Sequence, residues 1–175
     1  MSESIQTSDY YLHPGYVSVP AEPTRLAAVA ASGVVVTLYD AGRRCGGMGH
    51  YIRPIRQDGL STTVFAAPAI VVMAKMLFAA GCEAGNLTAY IFGGAENPGA
   101  GRYVPGLGQE NVQVGEEVLD RLGIALTGKD VGGTMARKIL FHSATGETVV
   151  ARVEKVRETD WYPDFKLIQE QERSV

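Results

Sequence analysis

Residues 25–39 read RLAAVAASGVVVTLY, an apolar run that ends in a valine cluster and is interrupted by a single glycine, Gly33. A segment this apolar reads as β-strand covered on both faces, with Gly33 dividing it. Asp40, Ala41 and Gly42 supply turn chemistry, and the extended pattern resumes from Cys45 to Ile52. Val34–Tyr39 and Cys45–Ile52 are therefore expected to pair as a hairpin. With Asp40 near Cys45 across the turn, Val35 falls opposite His50, and Gly33 becomes the diagonal neighbour of His50 on the same face. Cys45 then lies at the far end of the strand, roughly 16 Å from His50 at the usual rise per residue.

The rest of the chain fits one α+β domain. Its 175 residues are 46% hydrophobic, enough for one continuous core. Residues 1–14 read as a flexible N-terminus, 15–157 as the compact domain and 158–175 as a charged tail. Tyr16–Val19, flanked by Pro20 and Pro23, reads as a short edge strand, where proline is tolerated. Ala66–Ala80 is apolar around a whole helical cylinder and is closed by Gly81, as expected of a buried helix. A strand at Leu87–Phe92, a glycine-rich loop at Gly93–Gly108 and a helix at Gln109–Leu122, ended by Gly123, follow. Further strands are expected at Ile124–Leu126, Lys138–Phe141 and Thr148–Val153, the last two joined as a hairpin through Ser143–Gly146. Hairpins with two intervening helices predict a layered fold of mixed and antiparallel sheets flanked by helices.

Several function classes fall away. A net charge of -3 with scattered Lys and Arg gives no footprint for nucleic acid or an anionic membrane. The polar start lacks a signal-peptide pattern, and no run of about 18 apolar residues could span a bilayer, so a cytoplasmic protein without membrane insertion is expected. Cys45 and Cys82, far apart in sequence, read as packing thiols, with Cys82 inert in apolar surroundings. Cys45 and His50 have no second ligand pair, so no metal is expected. GGAENPGAG lacks the lysine and hydroxyl of a P-loop, and no cofactor is expected. In GGTMARK, Gly132–Lys138, a glycine pair and two cations could steer an acidic partner or cap a sheet.

The ordered series YYLHPG, VVVTLYD, GGMGHYIRP, KMLFAAG, IFGGAENP, GLGQEN, LDRLGIAL, KDVGGTMARK and GETVVARV resembles the CheD family of chemoreceptor glutamine deamidases along nearly the whole chain. The resemblance implies a cysteine-hydrolase fold. It also implies a cysteine within Gly-Ser-Cys-Val just before the LYD strand and a histidine closing Gly-Gly-Met-x-His. That pair hydrolyses receptor glutamine to glutamate: the thiolate attacks the amide carbon, and the imidazole protonates the departing ammonia and activates the water that releases the thioester. Here the matching segment is Ala-Ser-Gly-Val, so His50 carries over while the nucleophile position is Gly33. An upstream hydroxyl of the family falls on Ala28 or Ala27, an arginine on Glu110 and a glycine on Ala136. Ser32 adjoins the nucleophile position and is the substitute nucleophile the sequence offers, but side-chain alternation sends it to the other face unless the chain bulges at Gly33, and an alcohol is a far weaker nucleophile than a thiolate. Gly46, Gly47, Met48, Gly93, Gly94, Asn111, Gly132, Gly133 and Arg137 are the expected substrate or partner contacts. The implied partners are a chemoreceptor cytoplasmic region and a CheC-type phosphatase. The expectation is a chemotaxis protein that has lost deamidation; the alternatives are a deamidase, active or inactivated by engineering at Gly33, and a small-molecule or structural module on the same fold.

Overall fold

A computed structural model describes residues 7–55 and 62–157. Nine strands and two α-helices follow in the order β1 (Ser8–Tyr11), β2 (Val17–Ser18), β3 (Thr24–Ala30), β4 (Val34–Asp40), β5 (Cys45–Tyr51), α1 (Ala66–Ala79), β6 (Leu87–Gly93), α2 (Leu107–Arg121), β7 (Ala125–Val131), β8 (Ala136–His142) and β9 (Thr148–Val153). They form a four-stranded sheet, β1-β3-β8-β9, and a five-stranded sheet, β2-β5-β4-β6-β7. The result is the expected single α+β domain with mixed sheets and two helices.

The five-stranded sheet is the middle layer. Val34, Val36 and Leu38 of β4 join Ile70, Met73 and Leu77 of α1 and Val112, Val118 and Leu119 of α2 in one apolar cluster. Val35, on the other face of the strand, joins Met48 and Phe92 in a second cluster with Leu26, Ala28, Ile139 and Phe141 of the four-stranded sheet. Strand alternation thus sends successive valines into two different cores, which is why the run is apolar without a period. Gly33 does more than divide it: β3 pairs with β1 and β8, β4 pairs with β5 and β6, and the two halves lie in different sheets.

Several boundaries differ from the sequence reading. Ser8–Tyr11, inside the segment expected to be flexible, forms β1, parallel to β3, with Asp9 bonded to Arg25 at 2.6 Å and Leu12 buried behind it. The strand expected at 124–126 continues to Val131 because it pairs in parallel with β6 across a register shift at Ala89/Tyr90. The strand expected at Lys138–Phe141 runs one or two residues further at each end, and α2 starts at Leu107 rather than Gln109. Its first turn is capped from a distance, the Glu96 carboxylate accepting the backbone N–H groups of Gly106 (3.2 Å) and Gln109 (3.1 Å). The charged tail lies outside the described residues. No helix among the described residues is long and apolar enough to cross a membrane.

Candidate functional site

The hairpin register is the one expected, with Asp40 opposite Cys45 and Val35 opposite His50. His50 is two residues from Met48 on β5, so it points into the layer between the sheets, where it is fully buried. Burial pushes its imidazole down to about 3, and the charge of His13 adds to the effect. Near neutral pH the ring is therefore uncharged, the form in which it can accept a proton.

Gly33 stands beside this ring. A Cβ added there would lie 3.3 Å from His50 Nε2, 2.9 Å from the carbonyl oxygen of Tyr51 and 3.0 Å from the Ile52 side chain. Position 33 thus faces the histidine with no side chain to offer, in a space closed to within a few tenths of an ångström of accepting one.

The segment carrying Gly33 is held by its carbonyls. Gly94 donates its N–H to Gly33 O (2.9 Å), and Ala95 donates to Ala31 O (2.8 Å). Asn111, buried on α2, donates from Nδ2 to Ser32 O (2.9 Å) and to Ile52 O (3.2 Å), and the Tyr51 hydroxyl donates to Asn111 O (2.7 Å). Gly93 and Gly94 are required by conformation, with φ of 113° and 61°, and a side chain on Gly93 would collide with Gly33 O. Gly132 donates to Gly93 O (3.0 Å), and Gly133 O accepts from Glu96 (2.8 Å), so this turn holds the glycine loop from the other side.

Of the expected contacts, Gly93, Gly94, Asn111, Gly132 and Gly133 are thus gathered around the 31–33 segment as its supports. Others go elsewhere. Gly46 and Gly47 admit close packing, with Phe141 and Leu38 O beside the first and Val19 and Ser18 O beside the second, and Met48 is core. Arg137, considered as a steering cation, is 3% exposed; it donates to Gly132 O (2.6 Å) and Met135 O (2.7 Å) and pairs with Asp130 (3.0 Å). Its charge is spent inside the protein because β8 turns the guanidinium under the Gly132–Gly133 turn. Ser32 is half-buried and lines a cavity of about 630 Å³ together with Ala31, Ala95, Tyr103, Thr134 and Lys155. It therefore leaves Gly33 as the position facing His50.

Two features escaped the sequence reading. One is the cap that Glu96 forms on α2, a contact between residues with no shared local pattern. The other is the position of Cys82, which sits just past the end of α1 in the apolar cluster that Cys45 of β5 packs against. Among the described residues no group of three potential ligands could hold a metal ion.

The chain matches the family described as "CheD chemotactic sensory transduction" over residues 54–152. It is 37% identical over 143 residues to the probable chemoreceptor glutamine deamidase CheD 1 of Anaeromyxobacter dehalogenans, covering 82% of this chain and 84% of the relative. A probable chemoreceptor glutamine deamidase CheD of Sulfurimonas denitrificans is 32% identical over 83% of this chain and 94% of its own length. CheD 2 of Geobacter sulfurreducens, with the same name, is 33% identical over 83% and 90%. On the strength of this coverage and identity, the chain belongs to the CheD family of chemotactic sensory transduction proteins.

Proposed function

We propose that this protein acts in chemotaxis as a binding member of its family, engaging the cytoplasmic region of a chemoreceptor or a CheC-type phosphatase without deamidating glutamine. The observation that carries the reading is the bare backbone of Gly33 at 3.3 Å, counted from an added Cβ, from His50 Nε2. Amide hydrolysis by the family route needs a thiol nucleophile at that place, and without its sulfur the thioester intermediate cannot form. Neither cysteine can stand in: Cys45 is at the opposite end of β5, and Cys82 is buried in the cluster beneath the helices, on the other face of the sheet from His50. The names of the relatives support a chemoreceptor as the partner, and a cytoplasmic protein is the reading in keeping with a partner surface on the receptor's cytoplasmic region. Purified receptor cytoplasmic fragments are the test: the protein is expected to bind them, or a CheC-type phosphatase, and to release no ammonia. Ammonia release by the unmodified protein would overturn the reading.

The same geometry favours a second reading, a deamidase whose working cysteine has been replaced by glycine. For Gly33→Cys the backbone φ is ordinary, but the Tyr51 carbonyl has to give by a few tenths of an ångström. Sustained ammonia release by that variant supports the second reading; a silent variant that still binds supports the first.

A further inference from the structure

The cavity of about 630 Å³ beside the 31–33 segment combines apolar surface with exposed cations. Ala95 and Ala136, both buried, line it with the half-buried Ala31 and Val156, and Val104 adds an apolar side chain that is 50% exposed. Arg102 and Lys155 are exposed on its lining, against a single carboxylate, Glu154. The chain builds one wall of this cavity at its own exit from the sheet. β8 and β9 pair as far as Ala136 opposite Val153, and the next three residues, Glu154, Lys155 and Val156, run on along the cavity. Beyond the described residues the sequence continues for 18 more, ETDWYPDFKLIQEQERSV. In its first seven, Trp161 and Tyr162 are flanked by three carboxylates, Glu158, Asp160 and Asp164, with no cation among them. Trp161 follows Val156 by five positions, a reach of roughly 17 Å for an extended chain, enough to turn back into a cavity whose wall the chain has just formed.

We infer that the segment 158–175 of the same chain docks in this cavity, with the Trp161 and Tyr162 rings on its apolar surface and the flanking carboxylates toward Arg102 and Lys155. The volume suits two rings, since cavities of about 300–1,000 Å³ enclose small ligands of that class. Tryptophan and tyrosine bring large apolar area at one end and a polar tip at the other, which matches alanine and valine surface edged by charge. The acidic flanks complement the two cations and disfavour the opposite placement, in which like charges would meet. Tethering decides between this occupant and a free one: a segment attached at the cavity wall is present at an effective concentration on the order of millimolar, ahead of a second copy or a dilute partner. A tail docked there covers Ala31 and Ser32, one residue from Gly33. That a receptor segment displaces it rests on the function proposed above; the docking itself does not.

Trp161 is the only tryptophan of the chain, so its fluorescence reports on this segment alone. In the folded full chain, acrylamide should quench it severalfold less than in the urea-unfolded chain, independently of protein concentration. The double substitution Arg102→Glu, Lys155→Glu should restore most of the lost quenching, whereas Lys75→Glu, at an exposed position of α1, should not. With Trp161 replaced by the photocross-linker benzoylphenylalanine, irradiation should join that position to peptides containing residues 95–104 or 134–136 of the same chain. Receptor cytoplasmic fragments that bind should lower the cross-link yield. The inference is overturned if Trp161 is quenched alike in the folded and unfolded chains, if the charge reversals leave it shielded, or if the cross-links land elsewhere or join two chains. Fragments that bind while the cross-link persists overturn the displacement and leave the docking standing. Fragments that fail to bind count against the proposed function, while quenching and cross-linking still decide the docking.

Discussion

His50 shows how one buried side chain governs both chemistry and stability. Its imidazole titrates near 6.5 in an unfolded chain and is held down at about 3 in the folded one, chiefly by burial. Between those values the unfolded state binds the extra proton, so stability is complete above about pH 6.5 and falls as the pH drops toward 3, by up to about 1.4 kcal/mol per pH unit. Urea unfolding measured from pH 7.5 to pH 4 should show that slope, and His50→Gln should flatten it; equal slopes for the two proteins would exclude His50 as its source. The neighbouring residue, Gly33, could be placed beside this histidine from the sequence because both lie on one hairpin, whose register follows from a short turn and an alternating face. That the ring is fully buried could not be read there, since the covering layer comes from β3 and β8, elsewhere in the chain.

At the scale of elements, the hairpin, both helices and the glycine-rich loop are legible because each follows a local rule: turn residues after a valine run, apolar side chains all round a cylinder, glycine past a helix end. What holds the elements together at the site is not local. Asn111 was expected to touch a substrate or partner, yet its amide spans from α2 to the carbonyls of Ser32 and Ile52, which belong to the two strand ends that frame the site. Replacing it with alanine takes the donor from two part-buried carbonyls and should cost about 2–3 kcal/mol in chemical denaturation. A loss below about 0.5 kcal/mol would mean that other donors replace it. Gly115, on the same helix, faces Tyr51 so closely that an added Cβ would overlap the hydroxyl that donates to Asn111 O. Gly115→Ala should therefore lift α2 from the sheet and destabilise by about 1–3 kcal/mol despite the better helix propensity of alanine, and a stabilised protein would refute that packing.

For the molecule as a whole, the site lies where the chain passes from one sheet to the other, between Ala30 of β3 and Val34 of β4. Its geometry then depends on how the two sheets are locked, and one device for this is ionic. Asp130 on β7 of the five-stranded sheet pairs with Arg137 on β8 and Arg152 on β9 of the four-stranded sheet. The two arginines stand in different environments: Arg137 is 3% exposed and also serves two carbonyls, whereas the Arg152 side chain is 60% exposed. Removing a cation from solvent is a small change, so Arg152→Ala should cost less than about 1 kcal/mol, and the cost should fade in high salt. Removing the buried cation leaves Asp130 with Arg152 alone and takes the donor from the carbonyls of Gly132 and Met135, and Arg137→Ala should cost about 2–4 kcal/mol with little salt dependence. Because the Gly132–Gly133 turn holds the loop that in turn holds Gly33, the same substitution should also weaken binding to receptor fragments more than Arg152→Ala does. Equal effects of the two substitutions on stability and on binding would show that the sheets are locked by their apolar layer alone.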